Sequence, residues 1–420
     1  MTAVATAEIV HHDDAKARRN AIVLAIAFAL YSCGAINIIV SSTIVGTMIA
    51  PDKSLATLPV TAFVLGTALS TVPASMLMRR IGRRPGFMLG AGFGIASGIV
   101  AALAVYEQNF LLFLAGTFLQ GTYQAFAQVY RFAAADIASP GYRSRTISIV
   151  LLGGVAGAVV GPLIVMHTKL LLAPVLFAGS YLASSVLSVA ALLLLLLVDI
   201  PHHREEASDG EETRPLSVIL AQPRLIVAML CGMMSYGLMN LLMTATPLAM
   251  VGCGFTVDDS AWVIQWHALA MFLPSFFTGG LIARFGVERI AFTGMGLLTL
   301  SGITGLAGVA FSNFAVGLIL LGLGWNFGYV GGTTMVTECY FPAEKNKVQA
   351  VNDFAVFTTV ALASVASGKL IEGIGWSAVN WAMFPLIALC LLGLAWITLI
   401  NRREHRRARA KAEDSMACDI

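Results

Sequence analysis

The sequence predicts an all-α membrane protein: twelve transmembrane helices arranged as two pseudo-symmetric six-helix bundles. Three observations lead there. Of 420 residues, 58% are hydrophobic and 12% charged, whereas a soluble domain carries about a quarter charged residues. Such a chain cannot cover itself with a polar surface. Apolar runs of about 18 or more residues, the length that crosses a bilayer as a helix, recur along nearly the whole chain. Finally, a basic hinge occurs twice: PASMLMRRIGRRPG at Pro73–Gly86 and GGLIARFGVER at Gly279–Arg289. Leu77, Arg80 and Gly82 have mates Leu281, Arg284 and Gly286, each 204 positions on. A hinge repeated half a chain apart implies a duplicated membrane protein.

In chain order, residues 1–20 form a polar tail ending in KARRN. Twelve spans follow, at roughly 21–46, 57–78, 86–105, 110–134, 146–167, 171–199, 224–250, 259–283, 289–310, 314–336, 348–370 and 377–400. The first is too long for a signal-peptide core and lacks a small-residue cleavage site. A charged, proline-containing segment at 200–223 separates the bundles 21–199 and 224–400, and 401–420 is a basic tail. All but four of the 26 Lys and Arg fall in the two tails and the even-numbered connections. The exceptions are Lys53, Arg131, Lys169 and Lys369. By the positive-inside rule both termini face the cytoplasm. The cysteines show no ligand spacing and read as small buried thiols, so neither a metal nor a cofactor is expected.

The repeat recurs at a second place. ADIASPGYRSR follows the fourth span and TECYFPAEKNK the tenth; Asp136, Pro140, Arg143 and Arg145 have mates Glu338, Pro342, Lys345 and Lys347 at an offset of 202. An acid, a helix-stopping proline and two bases make a structured elbow in each half.

With these features the chain resembles the major facilitator superfamily of secondary transporters, in an uncharacterised bacterial branch, over essentially its whole length. The family's loop motif G-x-L-x-D-R-x-G-R-R is matched by Leu77, Arg80, Gly82, Arg83 and Arg84. Ser75 stands at the leading Gly, and Arg79 at the acid that braces the hinge against helix 11 in the family. In the second copy Gly279, Leu281, Arg284 and Gly286 match. The resemblance implies that these residues form the conformational hinges, and the missing acid suggests that Arg79 pairs with Asp353 instead. Gly157, Gly161 and Pro162 match part of the family's exporter motif, a spacing that also serves plain helix packing.

In folds of this kind the solute sits near the bilayer midplane between the halves. Counting about 1.5 Å per residue places Asn37, Tyr123, Tyr236, His267 and Asn326 near the centres of their spans. All are polar or ionisable and are costly to expose to lipid. Gln120, Gln124 and Gln128 lie at steps of four on one face of the fourth span, with Tyr123 beside them. Asn37 and Asn240 are repeat mates, as are Gln124 and Asn326. Trp325 and Tyr329 lie one turn apart and with Tyr236 would suit a planar, uncharged, hydrogen-bonding solute. The substrate-binding candidates are therefore Asn37, Gln120, Tyr123, Gln124, Tyr236, Asn240, His267, Trp325, Asn326 and Tyr329. Interhelical hydrogen bonding is the competing reading of every polar one. His267 and Asp353 are the candidates for ion coupling, each equally readable as structural.

The function these features predict is movement of a small organic solute by alternating access. The expected partners are that solute, the lipid bilayer and a coupling proton, with no nucleic acid; the working unit is a monomer. Two cargoes compete: uptake of a vitamin-like aromatic nutrient such as riboflavin, favoured by the amide stripe, and proton-coupled export of drug-like compounds, favoured by the partial glycine-proline motif. An intramembrane enzyme predicts H-E-x-x-H, G-x-S-x-G or a Walker loop, and none occurs. A non-transporting sensor predicts an attached soluble domain, and the longest polar segment is the short central loop.

Overall fold

The computed structural model describes residues 14–135, 138–139, 142–200, 214–341 and 344–418. The first half contains α1 (Asp14–Ile49), α2 (Leu58–Ile81), α3 (Arg83–Tyr106), α4 (Phe110–Ala127, continued by Tyr130–Ala135), α5 (Arg143–Thr168) and α6 (Ala178–Leu195). The second contains α7 (Pro223–Gly252), α8 (Val257–Phe272 and Ser275–Phe285), α9 (Val287–Leu306), α10 (Phe311–Thr337), α11 (Lys345–Gly373) and α12 (Trp376–Trp381 and Met383–Cys418). Among the described residues ten helices are long and apolar enough to cross a membrane, and the two segments of α8 together make an eleventh. The remaining expected span is α4, whose amides dilute its apolar character; it packs against α2 and α3 inside its bundle.

Where the helices differ from expectation the cause is local. The eighth span is bent by 42° between its segments, because Pro274 cannot donate a backbone hydrogen bond. The sixth starts at Ala178 rather than 171, the preceding residues forming turns around Pro174. The first begins at Asp14, drawing KARRN into the helix, and the last runs through the expected tail to Cys418. Of the elbow residues, Asp136, Pro140 and Pro342 lie outside the described residues, as do the side chains of Arg143 and Lys345.

Both hinges turn on a glycine that no other residue replaces without strain. Gly82 has φ 94° and ψ 160°, and Gly286 has φ 89° and ψ 147°. That corner of backbone space is nearly exclusive to glycine. Each residue ends one helix and begins the next, so the equivalence read from the sequence extends to backbone angles. Packing repeats as well. Ser97 Oγ donates to the Gly116 carbonyl and Ser301 Oγ to the Gly317 carbonyl, both at 2.7 Å. Gly121 lets α4 approach the Phe63 carbonyl of α2, as Gly322 lets α10 approach the His267 carbonyl of α8.

Each half has its own hydrophobic core, and α8 and α11 contribute to both: to the first through Ala261, Ile264, Ala268, Val356, Val360 and Ala361, and to the second through Val263, Met271 and Val348. The seam is built by α5 against α8 and α2 against α11. At the end opposite the arginine hinges the halves are in direct contact. Ser364 Oγ donates to the Thr57 carbonyl at 3.4 Å, Gly368 sits tightly over Ser54 and Thr57, and Lys169 pairs with Asp258.

At the arginine-rich end, ion pairs tie elements within each half. Arg224 bridges Glu288 at 2.7 Å and Glu338 at 2.6 Å. Arg214, just before α7, donates twice from its guanidinium to the buried Glu344 carboxylate, at 2.8 and 2.7 Å, and once from its backbone N–H at 3.1 Å. It also lies 4.6 Å over the Phe341 ring. This clamp holds the Glu344 carboxyl at a pKa of about 2, chiefly through the Arg214 hydrogen bonds.

Candidate functional site

Three expected site residues meet. Tyr236 of α7 lies edge-on to Trp325 and Tyr329 of α10, with ring centroids 5.5 and 5.2 Å away, and Trp325 stacks on Tyr329 at 5.2 Å and 13°. The spacing of one turn aligns the two α10 rings. Phe357 of α11 completes the group 6.2 Å from Tyr236. Tyr236, Tyr329 and Phe357 also pack against the core of the first half, which places the cluster on the seam. The Trp325 indole N–H is buried there with no acceptor.

Across the seam the first half presents a second aromatic group. Tyr123 of α4 meets Tyr31 of α1 edge-on at 5.0 Å, and Tyr31 stacks on Phe28 at 5.7 Å. Tyr130 contacts Phe87 at 4.7 Å and Phe28 at 6.5 Å. Tyr31 and Tyr123 belong to the buried cluster against which Tyr236, Tyr329 and Phe357 pack.

The α4 stripe lies against α1, α2 and α5 of its own half. The Gln120 amide nitrogen is buried without an acceptor and packs against α1, where a side chain at Gly34 would sit 2.9 Å from it. Gln124 accepts from Thr67 Oγ1 of α2 at 3.3 Å. Gln128 and Arg131 line a cleft with Phe28, Ala127, Val150 and Leu151. The stripe is thus longer than the three amides: at position 131, three residues past Gln128, it ends in a cation.

Four expected residues have polar groups engaged inside their own half. Asn37 donates to the Ser180 carbonyl and Ser184 Oγ, both at 3.0 Å, and accepts from Ser41, tying α1 to α6. Asn326 donates to the Met271 carbonyl and Ser275 Oγ at 2.8 and 2.7 Å and accepts from Thr278 Oγ1 at 2.7 Å. It therefore bonds to both sides of the α8 bend. Asn240 donates to the Val360 carbonyl of α11 at 3.2 Å. The His267 ring bonds the Leu318 carbonyl through Nδ1 at 2.7 Å, which leaves Nε2 buried and unpartnered. Of the two ion-coupling candidates, then, His267 is packed between α8 and α10, and Asp353 lies at the seam. Asp353 Oδ1 accepts from its chain neighbour Asn352 at 3.1 Å, rather than from the Arg79 expected from the loop.

Sequence reasoning passed over Tyr31, Tyr130 and Phe357. Tyr123 and Tyr130, seven residues apart, share a helix face, and that spacing was the available signal. Nothing local marks Phe357, which stands out only once α11 is set against α7. The Gly157–Gly161 pair is occupied in packing: side chains there would strike Ser32 and Ile36 of α1.

Two bundles related by a repeat, with an aromatic group on the seam between them, define a membrane transporter that works by alternating access. The chain belongs to the Major Facilitator Superfamily, whose family model matches residues 22–264 and 228–416. It is 45% identical over 401 residues to the riboflavin transporter RfnT of Brucella anthropi, covering 95% of this chain and all of that one. It is 29% identical to YdeG of Bacillus subtilis, an uncharacterised transporter of the same superfamily, over 86% of this chain and 87% of that protein. Among solved structures, a point mutant of the nucleoside transporter NupG superposes with a TM-score of 0.71 over 90% of this chain and 99% of that one, at 13% identity. At that identity the likeness concerns the fold alone.

Proposed function

We propose that this protein imports riboflavin across the bacterial cytoplasmic membrane, with both termini inside and the halves 21–199 and 224–400 rocking about the aromatic seam as a single chain. The observation that carries the reading is the 45% identity to a riboflavin transporter over the whole of that protein's length. The site's chemistry agrees with it. A planar, uncharged heteroaromatic ring is matched by stacked Trp325 and Tyr329, by Tyr236 and Phe357 around them, and by buried donors on Trp325 and Gln120 that lack acceptors. Stacking holds such a ring, and the unpartnered N–H groups gain hydrogen bonds when it arrives. Export of drug-like compounds draws less support, because the glycines of its motif are spent on the α1–α5 contact.

The test is uptake of radiolabelled riboflavin by a bacterial strain that can neither make nor import it, expressing this chain or the Brucella anthropi relative. Accumulation with this chain, and growth on low riboflavin, support the proposal. Uptake with the relative but none with this chain, at equal membrane abundance, overturns it.

A further inference from the structure

Lys16–Asp199, Arg214–Glu344, Arg224–Glu288 and Arg224–Glu338 are ion pairs within one half, whereas Lys169–Asp258 joins the two. Lys169 caps the carboxyl end of α5, and Asp258 stands in the first turn of α8. The Lys169 carbonyl accepts from the Phe177 N–H at 2.8 Å, which fixes the turn that carries it. Each charge lies at the helix end whose dipole favours it, and the side chains are 16% and 41% exposed. Neither charge is stranded when the two part. What the pair holds follows from the break in α8. Ala261, Ile264 and Ala268 of its first segment continue the stripe begun by Asp258 and pack into the core of the first half. The second segment, Ser275–Phe285, buries Thr278 and packs on α9 and α10. Asn326 of α10 bonds Met271 and Ser275 on either side of the bend, so the first segment is fixed to its own half. Opening the end away from the arginine hinges therefore parts α8 from α5 and breaks Lys169–Asp258. On the other flank α2 and α11 meet through Ser364, Gly368 and Thr57, without charge.

We propose that Lys169 and Asp258 form a charge latch on the outer gate, which biases the resting transporter toward the cytoplasm-facing state and parts when riboflavin enters from outside. The inference rests on the orientation and the uptake proposed above, which make this end the outer one. An ion pair at this exposure shifts an equilibrium by at most about fivefold. That is enough to bias the two states and little enough to release within a transport cycle. Without the latch a larger share of molecules faces outward, and the apparent affinity for external solute rises with that share. A plain helix tie behaves otherwise: its loss lowers stability and leaves the balance of states where it was.

The experiment places a reporter thiol at the gate with Ser364→Cys, a position buried while the halves touch. The background carries Cys253→Ser, because Cys253, at the end of α7, is exposed at the same end. Cells expressing the full chain are treated with a membrane-impermeant maleimide, and riboflavin uptake is measured in parallel at equal membrane abundance. Lys169→Met and Asp258→Asn are each expected to speed labelling about three- to fivefold and to lower the KM for external riboflavin about two- to fivefold. Lys169→Arg keeps the charge and labels at the unaltered rate. Exchanging the pair, Lys169→Asp with Asp258→Lys, returns labelling to within about twofold, short of full recovery because each charge then opposes its helix dipole. Labelling and KM unchanged in both single variants, or an exchanged pair that labels as fast as they do, overturns the latch. Labelling that appears only once the cells are opened overturns the orientation and the latch together. Because labelling needs no ligand, the expected labelling changes without any riboflavin uptake support the latch and overturn the riboflavin reading instead.

Discussion

Replacing Asn326 by alanine separates a helix tie from a substrate contact. In the structure the Asn326 amide makes three hydrogen bonds, to the Met271 carbonyl, Ser275 Oγ and Thr278 Oγ1, all on α8 around its bend. Hydrogen bonds between membrane helices average about 0.6 kcal/mol each, so losing three costs roughly 2 kcal/mol. The Met271 carbonyl sits beside Pro274, in a stretch where the helix has already given up a backbone bond, so the loss falls on groups with few alternatives. For a half of this size about 2 kcal/mol lowers the melting temperature by roughly 4–8 °C. Because all three bonds stay inside one half, riboflavin affinity is expected to remain within about threefold of the unaltered protein. Gln124→Ala removes one long bond, accepted by its amide oxygen from Thr67, and is expected to do the opposite, moving the melting temperature by only about 1–2 °C while weakening riboflavin binding about five- to tenfold. Thermal unfolding in detergent, followed by a thiol-reactive dye on the buried cysteines, gives the first number and flavin fluorescence the second. If Asn326→Ala melts with the unaltered protein and loses riboflavin, the amide serves the ligand rather than the bend, and the division into ties and contacts is wrong.

Three further outcomes follow from the geometry. Gly286→Ala puts a methyl group into open space, so its cost is backbone strain alone, about 1–3 kcal/mol; a melting temperature equal to that of the unaltered protein would show that the hinge does not need its left-handed backbone. The Glu344 carboxyl is held at about 2, below its unfolded value of 4.5. The stability it supplies is therefore complete above about pH 4.5 and is lost as the pH falls through about 2. Amide exchange around Arg214 should stay protected at pH 5, and Glu344→Gln should expose it at pH 7. Cysteines introduced together at Thr57 and Ser364, whose groups meet at 3.4 Å, should cross-link at the end away from the arginine hinges and stop uptake until reduced. Continued uptake by cross-linked protein would rule out opening at that end.

Much of the fold was legible before any coordinates, because a bilayer forces every backbone group into helices and makes their apolar length visible in the sequence. The Arg80/Arg284 and Gly82/Gly286 pairs carried the duplication, and the backbone angles of the two glycines repeat it. The site was legible only in part. Tyr236, Trp325 and Tyr329 announced themselves by spacing and depth, and they meet. Asn37, Asn240, His267 and Asn326 announced themselves in the same way and are engaged between helices of one half. Depth along a helix can be counted; the direction in which a polar group points depends on which neighbour offers a carbonyl. Asn37 and Asn240 make the point sharply, since these repeat mates bond to α6 and to α11, which are not mates.

By itself the sequence determined that this chain lies in a membrane, how many times its helices cross, that its halves descend from one bundle, and which residues sit deep. Periodicity, hydrophobic length and charge bias are properties of the chain read locally, and they suffice for those conclusions. Only the tertiary structure decided which deep residues face the seam. That choice put Phe357 of the eleventh span beside Tyr236 of the seventh, more than a hundred residues away. The physical reason is that a buried polar group goes wherever its hydrogen bonds can be completed, and the groups that complete them belong to other helices.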